Sequence, residues 1–296
     1  MASSATHHLG GSGPRRGDGP ARSPSVAQSL QEYGRGVAGG LLFSLPLLYT
    51  GEIWRAGEVL PPERLLLGLA GVFVLLLGYN RHAGLRADAG ALEVVIDSIE
   101  ELGLGLLLAA ALLALLGRID VDMTAPEVLG KVLVGGLAVA IGVSVGTAQL
   151  GGGDDDDSGM SGEREDATFV GQMALSLCGA VLVAANIAPT DEIPAIGGTL
   201  HAGALLGLTA LTLGIGALVL HFSDFVNTGM PERTRVDVVV GSLASYVAAI
   251  AASAALLWFF GRFDACDLGG CLAQVVVLGL PTAIGASAGR LLLQPR

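Results

Sequence analysis

One long apolar segment occurs twice in this chain, at residues 92–120 and again at residues 236–264. The first copy reads LEVVIDSIEELGLGLLLAAALLALLGRID, and the second reads VDVVVGSLASYVAAIAASAALLWFFGRFD. Both copies begin with an acidic residue next to a Val-Val pair, and both end in Gly-Arg-x-Asp. Similarity at a fixed offset indicates a duplicated architecture. Each apolar run is also long enough to cross a membrane as a helix.

The composition supports a membrane protein. Of the 296 residues, 52% are hydrophobic and only 15% are charged, whereas a soluble domain carries about 25% charged residues. The 45 glycines fit this class, because glycine lets membrane helices approach closely. We therefore predict an all-α membrane protein with about eight transmembrane helices and the lipid bilayer as its partner. The predicted spans are residues 36–55, 63–80, 91–116, 129–150, 168–188, 198–222, 236–260 and 270–293.

The duplication extends beyond the opening segment. Residues 130–146 are similar to residues 273–289, at an offset of 143. The predicted organisation has a disordered tail at residues 1–34, a first membrane repeat at 35–150, an acidic flexible linker at 151–167 and a second repeat at 168–296. Four helices in each repeat would make both repeats enter from the same side, as parallel repeats related by an axis along the membrane normal.

The distribution of positive charge predicts the orientation. With the N-terminus inside, the cytoplasmic segments hold eleven arginines, whereas the outer loops hold four arginines and Lys131. This asymmetry is the one that the positive-inside rule requires. We expect a multi-pass plasma-membrane protein with both termini in the cytoplasm. The net charge of −11 does not favour nucleic-acid binding.

Three acidic residues near the start of the third span, Asp97, Glu100 and Glu101, are the first candidate site. Together with Glu93, they lie at positions i, i+4, i+7 and i+8, which places them on one helical face. The span is longer than the hydrocarbon core, so Glu100 and Glu101 would lie inside the apolar layer. They could form a vestibule for cations or protons, or they could belong to a solvated extension of the helix. The second copy has Gly241, Ala244 and Ser245 at these three positions.

The outer ends of the first and fifth spans provide a second candidate site. Glu52 aligns with Glu192, and Asp191 is adjacent to Glu192. Two prolines within residues 189–194 predict a helix break, and broken helices in membranes are found inside protein or around water. The three acids could form a pseudo-symmetric outer site. An ordinary extracellular turn is the alternative.

The cysteines and glycines suggest structural roles. Cys266 and Cys271 share a short outer loop, where a disulfide between them would be structural. The paired motifs Gly142-x-x-x-Gly146 and Gly285-x-x-x-Gly289 favour close helix packing, either within the chain or between copies in a homo-oligomer. No phosphate-binding loop, nucleophile motif or metal-ligand spacing occurs. We therefore expect no cofactor, no metal and no enzymatic activity.

Two segments resemble a known family. Residues 34–50, GRGVAGGLLFSLPLLYT, and residues 186–193, NIAPTDEI, are similar to signature segments of a prokaryotic family of integral membrane proteins of unknown function. The resemblance covers residues 34–293. It implies a membrane protein but no activity, ligand or site residue.

Two hypotheses about function follow from the residues. The intramembrane acids, the broken helices and the repeats favour a small transporter or channel that handles protons or cations. The alternative is a membrane scaffold or assembly partner that transports nothing, whose acids only line the helix ends.

Overall fold

The computed structural model describes residues 26–84, 90–150, 169–223 and 235–291. Within these ranges the chain forms helices joined by short connections, which confirms the all-α class. The helices are α1 (Val26–Leu48), α2 (Gly51–Val59), α3 (Pro62–Ala83), α4 (Ala91–Leu115), α5 (Ala125–Gln149), α6 (Phe169–Ile187), α7 (Glu192–Thr199), α8 (Ala202–Ser223), α9 (Arg235–Phe259) and α10 (Leu268–Leu291).

The helix lengths fit a membrane bundle. Among the described residues, seven helices are long and apolar enough to cross a membrane, and the count rises to eight if the bent pair α1 and α2 is one span. Helix α2 is inclined at 85° to α1. The predicted number of about eight spans agrees with this count.

The first predicted span, residues 36–55, was wrong as a single helix. Pro46 lies inside α1, and it lacks the N–H group that would continue the ladder of hydrogen bonds. The chain turns immediately afterwards, where the N–H groups of Tyr49 and Thr50 donate to the carbonyls of Pro46 and Leu47. Helix α2 then begins at Gly51 in its new direction.

A second break separates α6 from α7, where the prolines of residues 189–194 predict one. Helix α6 ends at Ile187, and Pro189 lies in the connection. Pro194 lies in the first turn of α7. Proline is tolerated there, because the N–H groups of the first turn have no acceptor within the helix. The predicted sixth span, residues 198–222, begins too early, because α7 extends to Thr199 and α8 starts at Ala202.

Among the described residues, each half has four long helices, which correspond to the four predicted spans, and one short additional helix, α2 or α7. In both halves the order is a long helix, a short helix and then three long helices. The evolutionary duplication and the parallel relation of the halves stay predictions. The predicted tail is too long at its C-terminal end, because α1 already begins at Val26. Residues 1–25 and the predicted linker at 151–167 lie outside the described residues.

Helices α5 and α10 form the centres of the two halves. Of the residues in the apolar stretch of each helix, 78% are buried in α5, compared with 17% in α3 and 11% in α8. Glycines bring the neighbouring helices close: a Cβ added at Gly146 would overlap the backbone of Gly39 in α1, and one at Gly285 would overlap Gly179 in α6. The two predicted glycine motifs therefore pack within the chain. Association of copies through other small-residue faces stays a prediction.

The repeated Gly-Arg-x-Asp sequence ends α4 and α9 in the same way. Gly117 has φ +64° and Gly261 has φ +73°, a left-handed conformation that side chains disfavour. The N–H groups of Arg118 and Arg262 each donate to a carbonyl five residues earlier, at 2.8 Å. These are Schellman caps. They direct both arginines toward the helix break of their own half.

An ion pair joins the two halves at the helix ends that are predicted to face outward, and we use 'outer' and 'inner' for the two predicted sides. Both guanidinium nitrogens of Arg64, in the first turn of α3, donate to the carboxylate of Asp264 at 2.9 and 2.7 Å. The same guanidinium lies 5.3 Å from the ring centre of Trp258 in α9. Its hydrogen bonds hold the pKa of Asp264 below its usual range. Closer to the inner end, the halves meet where the Cys178 thiol of α6 lies 3.7 Å from the carbonyl of Leu75 in α3.

Candidate functional site

A cluster of four polar side chains lies between α3, α4 and α5 toward their inner ends. Asn80 is at its centre: its Nδ2 donates to Glu101 Oε2 at 2.7 Å and to Ser98 Oγ at 3.1 Å. Ser144 Oγ donates to Asn80 Oδ1 at 3.1 Å. We call Asn80, Ser98, Glu101 and Ser144 the inner polar cluster. Each of the other three side chains is therefore hydrogen-bonded to Asn80.

Each member comes from a helix whose local sequence fixes its direction. Ser98 and Glu101 are three residues apart on α4, so both face the same neighbours. Ser98 also donates to the carbonyl of Val94 at 2.7 Å, within its own helix. Ser144 lies on α5, which is buried on most sides because of its glycines, alanines and valines. The exposed fractions are 6% for Asn80, 0% for Ser98 and 1% for Ser144.

The carboxylate of Glu101 lies within a membrane span. Glu101 is roughly 15 Å along α4 from Ala91, at 1.5 Å per residue, and α4 contains an apolar stretch long enough to cross a membrane. A charged side chain in the apolar layer is unfavourable by roughly 2.5–3.5 kcal/mol at the membrane centre, and by less near its edge. The cluster reduces this penalty, because Asn80 supplies a hydrogen bond to the carboxylate.

The three predicted acids of α4 have different environments. Glu101 is partly buried and belongs to the cluster, whereas Glu100 is exposed. The Tyr33 hydroxyl of α1 donates to Glu100 Oε2 at 3.5 Å, a long contact. Asp97 is partly buried one turn before Glu101. No group of three or more His, Cys, Asp or Glu residues in the described ranges converges to hold a metal. A joint site for all three acids stays a prediction.

The second half has serines where the first has the inner polar cluster. The offsets of 144 and 143 between the similar segments align Ser98 with Ser242, Glu101 with Ser245 and Ser144 with Ser287. The hydroxyls of Ser245 and Ser287 are buried, and neither has a hydrogen-bond partner among the described residues. The carboxylate of the cluster therefore has a serine at the aligned position of the second half.

A positively charged side chain, Arg290, lies on the inner side of the second half. The guanidinium of Arg290 in α10 donates to the carbonyl of Gly241 at 2.7 Å and to Gln172 Oε1 at 2.6 Å. Gly241 aligns with Asp97 of the first copy. A positively charged side chain of the second half thus contacts the position that aligns with Asp97.

The outer acids are not joined to one another by hydrogen bonds. Arg262 bridges the break before α7, because its guanidinium donates to Asp191 Oδ1 at 2.9 Å and to the carbonyl of Pro189. Glu192 is exposed in the first turn of α7, and Glu52 is partly buried in the first turn of α2. In the first half Arg118 instead stacks on Trp54, with 3.9 Å to the ring centre. An outer acidic site stays a prediction.

An ion pair between a buried lysine and an exposed glutamate at the outer end was not predicted from the sequence. Lys131 of α5 is only 5% exposed, and its Nζ lies 2.8 Å from Glu58 Oε1 in α2. It also donates to the carbonyl of Arg118 at 3.1 Å. Gly57 makes this approach possible, since a Cβ there would overlap the backbone of Lys131. The signal was available, because Lys131 is the only lysine of the chain and lies in an apolar helix.

The cysteines form one bridge and one buried thiol. Cys266 and Cys271 are joined by a disulfide across the α9–α10 connection, with 5.7 Å between their Cα atoms. Cys178 is a buried free thiol. The bridge closes a short outer loop next to Asp264, so its place in the fold is structural.

The apolar helices, the two breaks and the polar groups held inside the bundle define a polytopic α-helical integral membrane protein. The chain belongs to the family described as "Putative integral membrane protein (DUF2391)", whose model matches residues 32–293. This confirms the family resemblance of residues 34–50 and 186–193. Comparison with curated proteins gives no match, and neither does comparison with solved structures.

Proposed function

We propose that the protein handles protons or small monovalent cations in the membrane, with Glu101 as the binding group. One observation carries the proposal: the carboxylate of Glu101 lies within a membrane span, and its hydrogen-bond partner there is the neutral amide of Asn80. Ionisable residues inside membrane spans are commonly parts of ion pathways and proton relays.

The chemistry of the cluster suits a proton or a hard cation. A carboxylate in an apolar surrounding gains stability by taking up a proton or a cation, because either one neutralises its charge. The oxygens of Glu101, Asn80 and the two cluster serines are hard ligands of the kind that such cations prefer. The amide of Asn80 holds the carboxylate in place between three helices.

The alternative function is a membrane scaffold that transports nothing. In that case the inner polar cluster would serve only to fix the packing of α3, α4 and α5. The difference between the halves favours the proposal, because serines occupy the aligned positions in the second half without an acid. Packing alone does not require Glu101 in the first half.

We also infer that the protein lies in the plasma membrane with both termini in the cytoplasm. The excess of arginine in the inner segments supports this orientation. Reporter fusions at each terminus in intact cells measure it directly, and a reporter signal from the outer side at either terminus would refute it.

Flux into liposomes tests the function. The purified full chain is reconstituted, and proton, sodium and potassium gradients are applied in turn, with empty liposomes as the baseline. We expect a flux of at least one of these ions, and its loss in Glu101→Gln. The matched control is Glu63→Gln, which changes an exposed acid in the first turn of α3, and we expect its flux to equal that of the wild type. Wild-type flux at the baseline for all three ions would support the scaffold.

A further inference from the structure

An apolar cavity of about 390 Å³ lies between the two halves of the protein. Its walls come from α3 and α5 of the first half and from α6 and α9 of the second, with a contribution from α1. Every side chain that lines it is apolar except for the indole N–H of Trp258. This cavity is separate from the inner polar cluster.

The cavity opens sideways, between α3 and α9. The residues at this opening are exposed on both helices: Gly71 on α3, and Ala251 and Ala255 on α9. Deeper in the cavity, α5 forms the floor with Leu137 and Ile141, which are 6% and 1% exposed. The opening therefore leads from the protein's lateral surface to its buried centre.

The outer end of the opening is closed by contacts between the halves. A Cβ added at Gly68 of α3 would lie 2.5 Å from the ring of Phe259 in α9, which shows how closely the two helices approach there. Closer to the start of α3, Arg64 pairs with Asp264. The cavity lies on the other side of these contacts, toward the membrane interior, where α3 and α9 are farther apart.

The cavity lies at the depth of the apolar layer of the membrane. The lining residues of α3 extend from Leu67 to Leu75, which is roughly 8 to 20 Å from the start of the helix. Water has too few polar partners in such a place to be stable there. Hydrocarbon chains are the solvent at this depth.

From these observations we propose that the cavity binds one alkyl chain of a membrane phospholipid, which enters between α3 and α9. The volume suits one chain rather than a whole lipid, because it is near the lower end of the range for ligand pockets, about 300–1,000 Å³. An occupying chain replaces the dispersion contacts that an unfilled cavity would forfeit. The headgroup remains at the membrane surface, outside the cavity.

Photo-crosslinking in liposomes tests the proposal. The full chain is reconstituted in phosphatidylcholine that carries a diazirine within one acyl chain, and the adducts are mapped by mass spectrometry after illumination. Bulk lipid reaches the exposed side chains of α8, such as Leu206 and Leu211. Only a chain inside the cavity reaches residues 134–141 of α5. We expect adducts on both helices in the wild type.

A substitution at the opening supplies the decisive comparison. Gly71→Phe places a ring at the mouth of the cavity, where an added Cβ meets no atom within 4 Å. We expect the adducts on α5 to be lost while those on α8 remain. The matched control is Gly207→Phe on α8, which also has open space at its Cβ and should leave the adducts on α5 unchanged. Ala251→Phe blocks the opening from α9 and provides a second variant if Gly71→Phe does not fold.

Two results would overturn the proposal. One is the absence of adducts on residues 134–141 in the wild type while α8 is labelled. The other is equal labelling of α5 in the control and in whichever blocked variant retains the wild-type helix content. Neither result depends on ion flux, so this proposal and the function of Glu101 can fail separately.

Discussion

Replacing Asn80 by leucine should destabilise the first half measurably. The substitution removes the three hydrogen bonds that Asn80 makes to Ser98, Glu101 and Ser144. Leucine is of similar size to asparagine, so a gross packing defect is not expected. Side-chain hydrogen bonds in membrane proteins contribute about 0.6 kcal/mol each on average, so the free energy of unfolding should fall by about 2 kcal/mol.

Reversible unfolding in mixed micelles with increasing denaturing detergent measures this change. The double variant Asn80→Leu/Glu101→Gln extends the test, because a neutral side chain at residue 101 has less need of the lost amide. We expect the double variant to be more stable than Asn80→Leu alone. A change below about 0.5 kcal/mol in Asn80→Leu, which is the usual scatter of independent effects, would show that the inner polar cluster does not hold the three helices together.

Three further outcomes follow from the packing and the ion pairs. Gly146→Ala should lower the midpoint of thermal unfolding, because its Cβ would overlap α1 and overpacking is unfavourable by about 1–3 kcal/mol. Glu58→Gln should destabilise more than Lys131→Met in the same unfolding assay, because only the former leaves a buried lysine without its carboxylate. The pair with Arg64 lowers the pKa of Asp264, so its stabilisation is present above the unfolded-state pKa of about 3.9 and is lost as the pH falls through the folded-state pKa. Unfolding measured as a function of pH should show this acid loss in the wild type and not in Asp264→Asn.

The sequence predicts the spans well, because an apolar run of sufficient length has few alternatives to a membrane helix. It also predicts the break between α6 and α7 from Pro189 and Pro194, but the single span predicted at residues 36–55 runs through the break that follows Pro46. It does not predict the 85° change of direction between α1 and α2. That angle depends on how α2 packs against α5, where Gly57 meets the backbone of Lys131.

The acids of α4 could be placed on a helix face, but not assigned to separate environments. Glu100 and Glu101 are adjacent, and one residue corresponds to about 100° of rotation in a helix of 3.6 residues per turn. Which of them enters the bundle depends on Asn80 and Ser144, which come from other helices and are far away in sequence. Periodicity within α4 contains no information about these partners.

The difference between the halves explains why the first one is the place to look for a function. The similar segments of both halves have serines at the positions of Ser98 and Ser144. The second half has Ser245 in place of the acid, and its helix α9 still packs against α10, so an acid at this position is not required for such helices to pack. A carboxylate within the bundle that packing does not require, and that the membrane disfavours, is best explained by what it binds.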